Sequence, residues 1–101
     1  MAVIWTERAR EDLVEIFRYI AQDNRPAAAR WVSRLIERAE SAADAPLSGR
    51  VVPEVQREDV REVFLKSYRV IYRVAGEDVR VLTVFEGHRR LRYADLDDTG
   101  E

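Results

Sequence analysis

The chain is expected to fold as an α+β domain in the order β-α-α-β-β-β, with an antiparallel helical hairpin packed on one face of a twisted, mainly antiparallel sheet. Three observations carry this. Two successive stretches place apolar residues at helical spacing, with Pro26 between them. The C-terminal half alternates β-branched or aromatic residues with charged ones, as strands do. Neither helix can bury its apolar stripe alone, so both need the sheet.

Val3-Ile4-Trp5 reads as a short strand, and Thr6 as a helix N-cap with Glu7, Glu11 and Asp12 near the positive end of the helix. Ala9, Leu13, Ile16, Phe17 and Ile20 recur at helical spacing, which predicts a first helix over roughly residues 7–22. Asp23-Asn24-Arg25-Pro26 interrupts it, and Pro26 suits the first turn of the next helix. That second helix carries Ala28, Trp31, Val32, Leu35, Ile36 and Ala39 on one stripe and ends before Pro46. Trp5 and Trp31 are read as core anchors between helices and sheet.

The segment Arg50-Val51-Val52-Pro53-Glu54 is extended, and residues 60–65, 68–74 and 79–86 give three strands. Ala75-Gly76-Glu77-Asp78 turns the last two into a hairpin. Side chains alternate across a sheet, so Tyr68, Val70, Tyr72 and Val74 share one face while Arg69, Ile71 and Arg73 share the other. One face of the sheet receives the helices and the other is expected to stay open. A single domain is read over residues 1–94, and the acidic tail 95–101 is expected to be disordered.

Apolar residues make up 47% of the chain and charged residues 36%, a composition of ordered globular proteins. The net charge of -2 argues against a general nucleic-acid binder. Its distribution is uneven: residues 1–50 balance 8 Arg with 8 acids, residues 51–93 set 9 bases against 7 acids, and the tail holds 4 acids and no base. Of 17 basic residues 16 are Arg. A guanidinium suits carboxylate or phosphate, although a chain-wide preference for Arg over Lys is the plainer source of this bias.

Cysteine is absent, which excludes disulfides and thiolate metal sites. No apolar run of about eighteen residues and no signal-peptide core follows Met1, so a cytoplasmic protein without a membrane partner is expected. The single His offers no paired ligand spacing for a metal. Ser33, Ser41, Ser48 and Ser67 lack a nucleophile-elbow context, and the four glycines form no phosphate loop. No cofactor and no small-molecule substrate are expected.

What remains is a basic constellation of Arg50, Arg61, Lys66, Arg69, Arg73, Arg80, Arg89, Arg90 and Arg92. Taken singly, these are ordinary surface residues with cross-strand ion pairs, such as Arg61 or Arg73 with Glu62 or Glu86. Arg69 stands apart because it lies between two tyrosines, Tyr68 and Tyr72, in a strand that should be central, where a guanidinium needs partners from the protein or from a ligand. His88 has the chemistry of a general acid beside a scissile phosphate, or is a plain turn residue after Gly87. Glu54 is either a general base or plain surface. Tyr68, Tyr72 and Tyr93 have rings that stack on bases, with Tyr72 better suited to the core.

Together these pieces resemble the RelE/ParE toxin superfamily of bacterial type II toxin–antitoxin systems, also called plasmid-stabilisation proteins. The resemblance spans about residues 3–92. It is carried by Ile4-Trp5-Thr6 with Ala9, Asp12-Leu13, Ile16 and Tyr19-Ile20; by Gly49-Arg50-Val51-Val52-Pro53-Glu54; by Arg61-Glu62-Val63; by Tyr68-Arg69-Val70-Ile71-Tyr72-Arg73-Val74; and by Gly87-His88-Arg89-Arg90. It implies two helices on a twisted antiparallel sheet.

The superfamily divides by function. RelE-like members cut mRNA in the ribosomal A site, and ParE-like members inhibit DNA gyrase and so block replication. Arg69 matches the strand arginine that RelE-like nucleases use at the scissile phosphate, and Arg89 their following arginine; Glu54 and His88 fall near the base and acid of one subgroup. Against nuclease activity, the lysine cluster is reduced to Lys66, Tyr93 is not at the usual distance beyond Arg89, and the body is weakly basic for a ribosome binder.

The resemblance therefore points to the ParE branch, a gyrase inhibitor neutralised by a ParD-like antitoxin. Its target-binding residues would be Arg61, Arg69, Arg73, Arg89 and Arg90. The alternatives are a RelE-like endoribonuclease acting on the ribosome and mRNA, and a non-toxic binding module. A family antitoxin would lay a helix and an extended segment over the toxin, with Val14 and Tyr19 of the first helix as contacts.

Overall fold

The computed structural model describes residues 2–87 together with Leu91 and Leu96. Strand β1 (Ala2–Trp5) leads into helices α1 (Glu7–Ala21) and α2 (Arg25–Ala42), then a 3-10 turn at Pro46–Ser48. Strands β2 (Arg50–Val51), β3 (Val60–Leu65), β4 (Tyr68–Ala75) and β5 (Asp78–Glu86) follow. The sheet order is β1-β5-β4-β3-β2, with β1 parallel to β5 and every other pair antiparallel. The expected α+β architecture forms, with one addition. The Arg50–Glu54 stretch splits into a two-residue strand paired to β3 (Arg50 with Glu62, Val51 with Arg61) and a turn that begins near Pro53, which has no amide to donate to a ladder. No described helix is long and apolar enough to cross a membrane.

Capping explains where the helices start. Thr6 Oγ1 accepts the Ala9 amide at 3.2 Å, and Asn24 Oδ1 accepts the Ala27 amide at 2.9 Å, with Pro26 in the first turn of α2. The helices bury Ala9, Leu35, Ala39 and Ala42 against Val63, Val70, Tyr72, Val79, Val81 and Val84 of the sheet. Trp5 and Trp31 pack against this core, and Trp31 meets the Tyr68 ring edge-on at 5.9 Å.

A bulge in β5 fixes α1 in place. Ile71 pairs with Thr83 but Tyr72 pairs with Val81, so Leu82 has no partner in the ladder. The polar groups released there are taken up by α1 and its cap. Thr6 Oγ1 lies 2.9 Å from the Val81 carbonyl and 3.1 Å from that of Leu82, while Asp12 Oδ2 accepts from Thr83 Oγ1 at 2.5 Å and from the Val84 amide at 3.0 Å. Thr6 is fully buried as a result.

The face away from the helices is not bare, which corrects the expectation of an open arginine-studded surface. Val52, Val60, Ile71, Leu82, Phe85 and Leu91 form a second buried apolar cluster there, with Val55 and Leu96 packed against it. Leu91 comes from beyond the last strand, and without it this cluster would be more open. The sheet edges are capped by helix arginines: the Arg10 guanidinium donates to the Trp5 carbonyl, and Arg38 Nε donates to the Phe64 carbonyl at 3.0 Å.

The connection from α2 to β2 is tied to the sheet by two side chains. Tyr72 Oη donates to the Pro46 carbonyl at 2.5 Å, and Arg61 Nη1 donates to the carbonyls of Leu47 and Gly49 at 2.8 and 3.0 Å. Gly49 is held to glycine by space rather than by backbone conformation. A Cβ there would collide with Tyr72 Oη and press on the Glu62 carbonyl oxygen at 3.0 Å. Gly49→Ala is therefore expected to cost about 1–3 kcal/mol in urea unfolding. The same substitution made on a Tyr72→Phe background should cost measurably less; equal costs on both backgrounds would show that the hydroxyl is not the obstacle.

Candidate binding surface on the outer sheet face

The outer face is organised by a buried carboxylate. A two-residue turn, Lys66-Ser67, joins β3 to β4 and sets Leu65 opposite Tyr68, Phe64 opposite Arg69 and Glu62 opposite Ile71. Glu62 and Arg69 are thus diagonal neighbours on one face. Arg50 enters from the other side, directly opposite Glu62 in the β2–β3 ladder. Lys66 takes a left-handed backbone, φ 54°, to make so tight a turn.

These placements produce a four-membered ion cluster. Glu62, whose side chain is 0% exposed, accepts Arg69 Nε on Oε1 at 2.7 Å, and Arg50 Nε and Nη2 on Oε2 at 2.8 and 2.5 Å. The far end of the Arg69 guanidinium grips Glu54 as a fork, Nη1 to Oε2 at 2.8 Å and Nη2 to Oε1 at 2.9 Å. Phe85 lies under the Arg69 guanidinium at 5.4 Å and Phe64 under that of Arg50 at 5.2 Å. Gly87 completes the packing. Its amide donates to the Ser67 carbonyl at 2.5 Å, and a Cβ there would press on that oxygen at 2.8 Å and touch the stem of Arg69.

The charges compensate, and the proton affinities follow. The Arg69 fork holds the Glu54 carboxyl below the ordinary carboxylate value, against a smaller opposing effect of burial. Glu54 and Glu62 together hold Arg69 protonated more firmly than an ordinary arginine. A carboxylate with a lowered pKa is a weak general base, and a guanidinium whose Nη1–Nη2 fork and Nε are all turned to carboxylates presents no free fork to a substrate. In this arrangement the cluster is an ion-pair lock, not an acid–base pair.

The other residues singled out from the sequence fall in different places. Arg61 belongs to the α2–β2 connection, donating to three backbone carbonyls rather than to Glu62; the third is that of Glu58 at 2.9 Å. Arg73 shares the Arg69 face, opposite Val60 on one side and Arg80 on the other. Val14 and Tyr19 stand 47% and 71% exposed on α1 and take no part in the ion cluster. Tyr72 is a core residue and Tyr68 is half-buried; burial raises the pKa of both phenols. His88, Arg89, Arg90, Tyr93 and the tail 95–101, apart from Leu96, lie outside the described residues. Glu62 was read only as a possible surface ion partner, yet it is the buried centre of the cluster. The signal for it was present: a lone acid alternating with Val60 and Phe64 on one strand face.

A helical hairpin packed on a five-stranded mixed sheet is the RelE/ParE-like α+β fold. Residues 3–91 match the family described as the ParE toxin of the type II toxin–antitoxin system parDE, and the chain belongs to that family. It is 38% identical over 88 residues to toxin Y4kP of Sinorhizobium fredii, an alignment covering 85% of this chain and 88% of that protein. It is 37% identical over 82 residues to toxin RelE2 of Caulobacter vibrioides, covering 81% of this chain and 90% of that one. Among solved structures, a chain of the chromosomal ParDE system of P. aeruginosa is similar in fold with a TM-score of 0.71 at 22% identity, over 85% of this chain and 95% of that one. A chain of the RelBE2 toxin–antitoxin complex of Mycobacterium tuberculosis is similar with a TM-score of 0.62 at 24% identity, over 84% and 95%.

Two outcomes are expected from the cluster. Glu62→Ala leaves the buried Arg69 guanidinium without the acceptor of its Nε–H and should cost about 3–5 kcal/mol in denaturant unfolding. Glu54→Ala should cost only a fraction of that, because the Glu54 side chain is 38% exposed and well screened. The second outcome concerns pH. The folded pKa of Glu54 lies below its ordinary 4.5, so its contribution is fully present above that value and is lost as pH falls through the lowered one. Arg69 stays charged throughout. Between about pH 5 and 3 the Glu54→Gln protein should therefore lose less stability than the parent, read as urea midpoints at each pH; parallel curves would assign the acid sensitivity elsewhere.

Proposed function

We propose that the protein is a ParE-like toxin that acts by binding DNA gyrase, blocking replication without cutting nucleic acid, and that a ParD-like antitoxin neutralises it. The observation that carries the non-catalytic reading is the state of Arg69. Its side chain is 7% exposed, and Nε, Nη1 and Nη2 are each bonded to a carboxylate oxygen of Glu54 or Glu62. A nuclease arginine has to meet a phosphate, and here the position is filled by the protein's own acid. Membership of the ParE family supports the same reading.

The antitoxin reading draws support from the outer side of α1. Val14 and Tyr19 are two of four large hydrophobic side chains exposed among the described residues, apolar surface on α1 that a partner would cover. An RNA-cutting toxin is the second reading, favoured by the likeness to toxin RelE2. It requires Glu54 to leave Arg69 before any phosphate can enter.

Purified protein at micromolar concentration is expected to inhibit gyrase supercoiling or to trap gyrase–DNA cleavage complexes, and to leave ribosome-bound mRNA intact by primer extension. Cuts confined to the A site with gyrase unaffected would establish the second reading instead. No effect in either assay, and no growth defect on induction without an antitoxin, would point to a binding module that is not toxic.

A further inference from the structure

The two acids that hold Arg69 are not equivalent. Glu62 sits on a strand, is fully buried, and is held by Arg50 as well. Glu54 sits in the turn between β2 and β3, its side chain 38% exposed, and its carboxylate is held chiefly by Arg69, with lesser help from its own backbone amide and from Arg50. The turn is pinned on either side of Glu54, not at it. Val52 is buried in the outer apolar cluster and Val55 packs against it, while the amides of Val55 and Gln56 donate to the Val52 carbonyl at 3.1 and 2.9 Å. Glu54 can therefore withdraw by side-chain rotation while the backbone around it stays anchored.

What would remain is a shaped receptor. Glu62 fixes Arg69 Nε and Phe85 supports the guanidinium plane, so Nη1 and Nη2 point as a rigid pair at the position of the Glu54 carboxylate. Both contacts are end-on and nearly equal, 2.8 and 2.9 Å, the pattern of a planar two-oxygen anion. We propose that the Arg69 fork is a carboxylate-receiving subsite that Glu54 occupies from within, and that an acidic side chain of a protein partner replaces Glu54 when the partner docks on the outer sheet face. This rests on the reading of that face as a binding surface.

The replacement is close to neutral in chemistry, since one carboxylate leaves as another enters. Selectivity comes from tethering. Glu54 is present at the high effective concentration of an attached group, so free small anions do not displace it. A partner that also covers exposed Phe64 and the Arg50 platform brings the extra contact needed to compete. Glu54 thus acts as a selectivity filter, screening the fork from solutes and from isolated phosphates.

The test is chemical rescue. In Glu54→Ala, sodium acetate at constant ionic strength is expected to raise the urea midpoint saturably, and to shift the Arg69 guanidinium N–H resonances, with no such effect on the parent protein. Glu54→Ser, which also empties the fork, serves as the second variant should Glu54→Ala fold poorly and is expected to show the same rescue, whereas Glu54→Gln, which keeps the fork filled, should respond less. Absence of rescue, or an equal rise with chloride, would overturn the proposal. A larger rise with inorganic phosphate than with acetate would also overturn it, assigning the fork to a tetrahedral anion. The measurement does not involve gyrase, so a failure here leaves the proposed target standing, and a failure of the gyrase assay leaves the rescue interpretable.

Discussion

The outer half of this protein depends on the burial of one carboxylate. Glu62 has no exposed surface, yet it lies between two guanidiniums that satisfy both of its oxygens. An isolated charge at that depth would be costly, and its attraction to Arg50 and Arg69 offsets the loss of water only because the hydrogen bonds are complete. From this requirement follow the pairing of the short strand β2, the direction of the Arg69 side chain, and the position at which the β2–β3 turn delivers Glu54. The inner half depends on a different economy, in which a bulge in β5 frees polar groups that Thr6 and Asp12 then take up.

Much of this was legible in the residues. Helix starts follow from Thr6 and Asn24, which cap as their chemistry predicts. Strand limits at Leu65 and Tyr68 leave two residues for a turn, and that alone brings Glu62 diagonal to Arg69. Other features were hidden for physical reasons. The bulge falls in Val81-Leu82-Thr83-Val84-Phe85, a run whose residues are buried on both faces, so no alternation marks the extra residue. The contact of Glu54 with Arg69 joins a turn to a strand across 15 residues, and no local periodicity reports such a meeting. The outer apolar cluster was missed because its members are interleaved with arginines and one of them, Leu91, follows the last strand.

The same geometry changes what an arginine-rich strand means. Read alone, Arg50, Arg61 and Arg69 suggest a positive surface awaiting an anion. In the fold, Arg61 serves backbone carbonyls, while Arg50 and Arg69 meet at Glu62 and Arg69 also holds Glu54, so much of the local positive charge is spent on architecture. On a scaffold that can host different functions, such internal neutralisation bears directly on whether the site cuts or only binds.

The arginines that cap the sheet edges have a consequence for assembly. Arg10 and Arg38 each cover a carbonyl that a strand from another molecule would need for its first ladder bond. Templated stacking, the route by which many small sheet proteins polymerise, would have to begin by evicting a guanidinium at either edge. A free copy of this chain is thereby steered away from fibres.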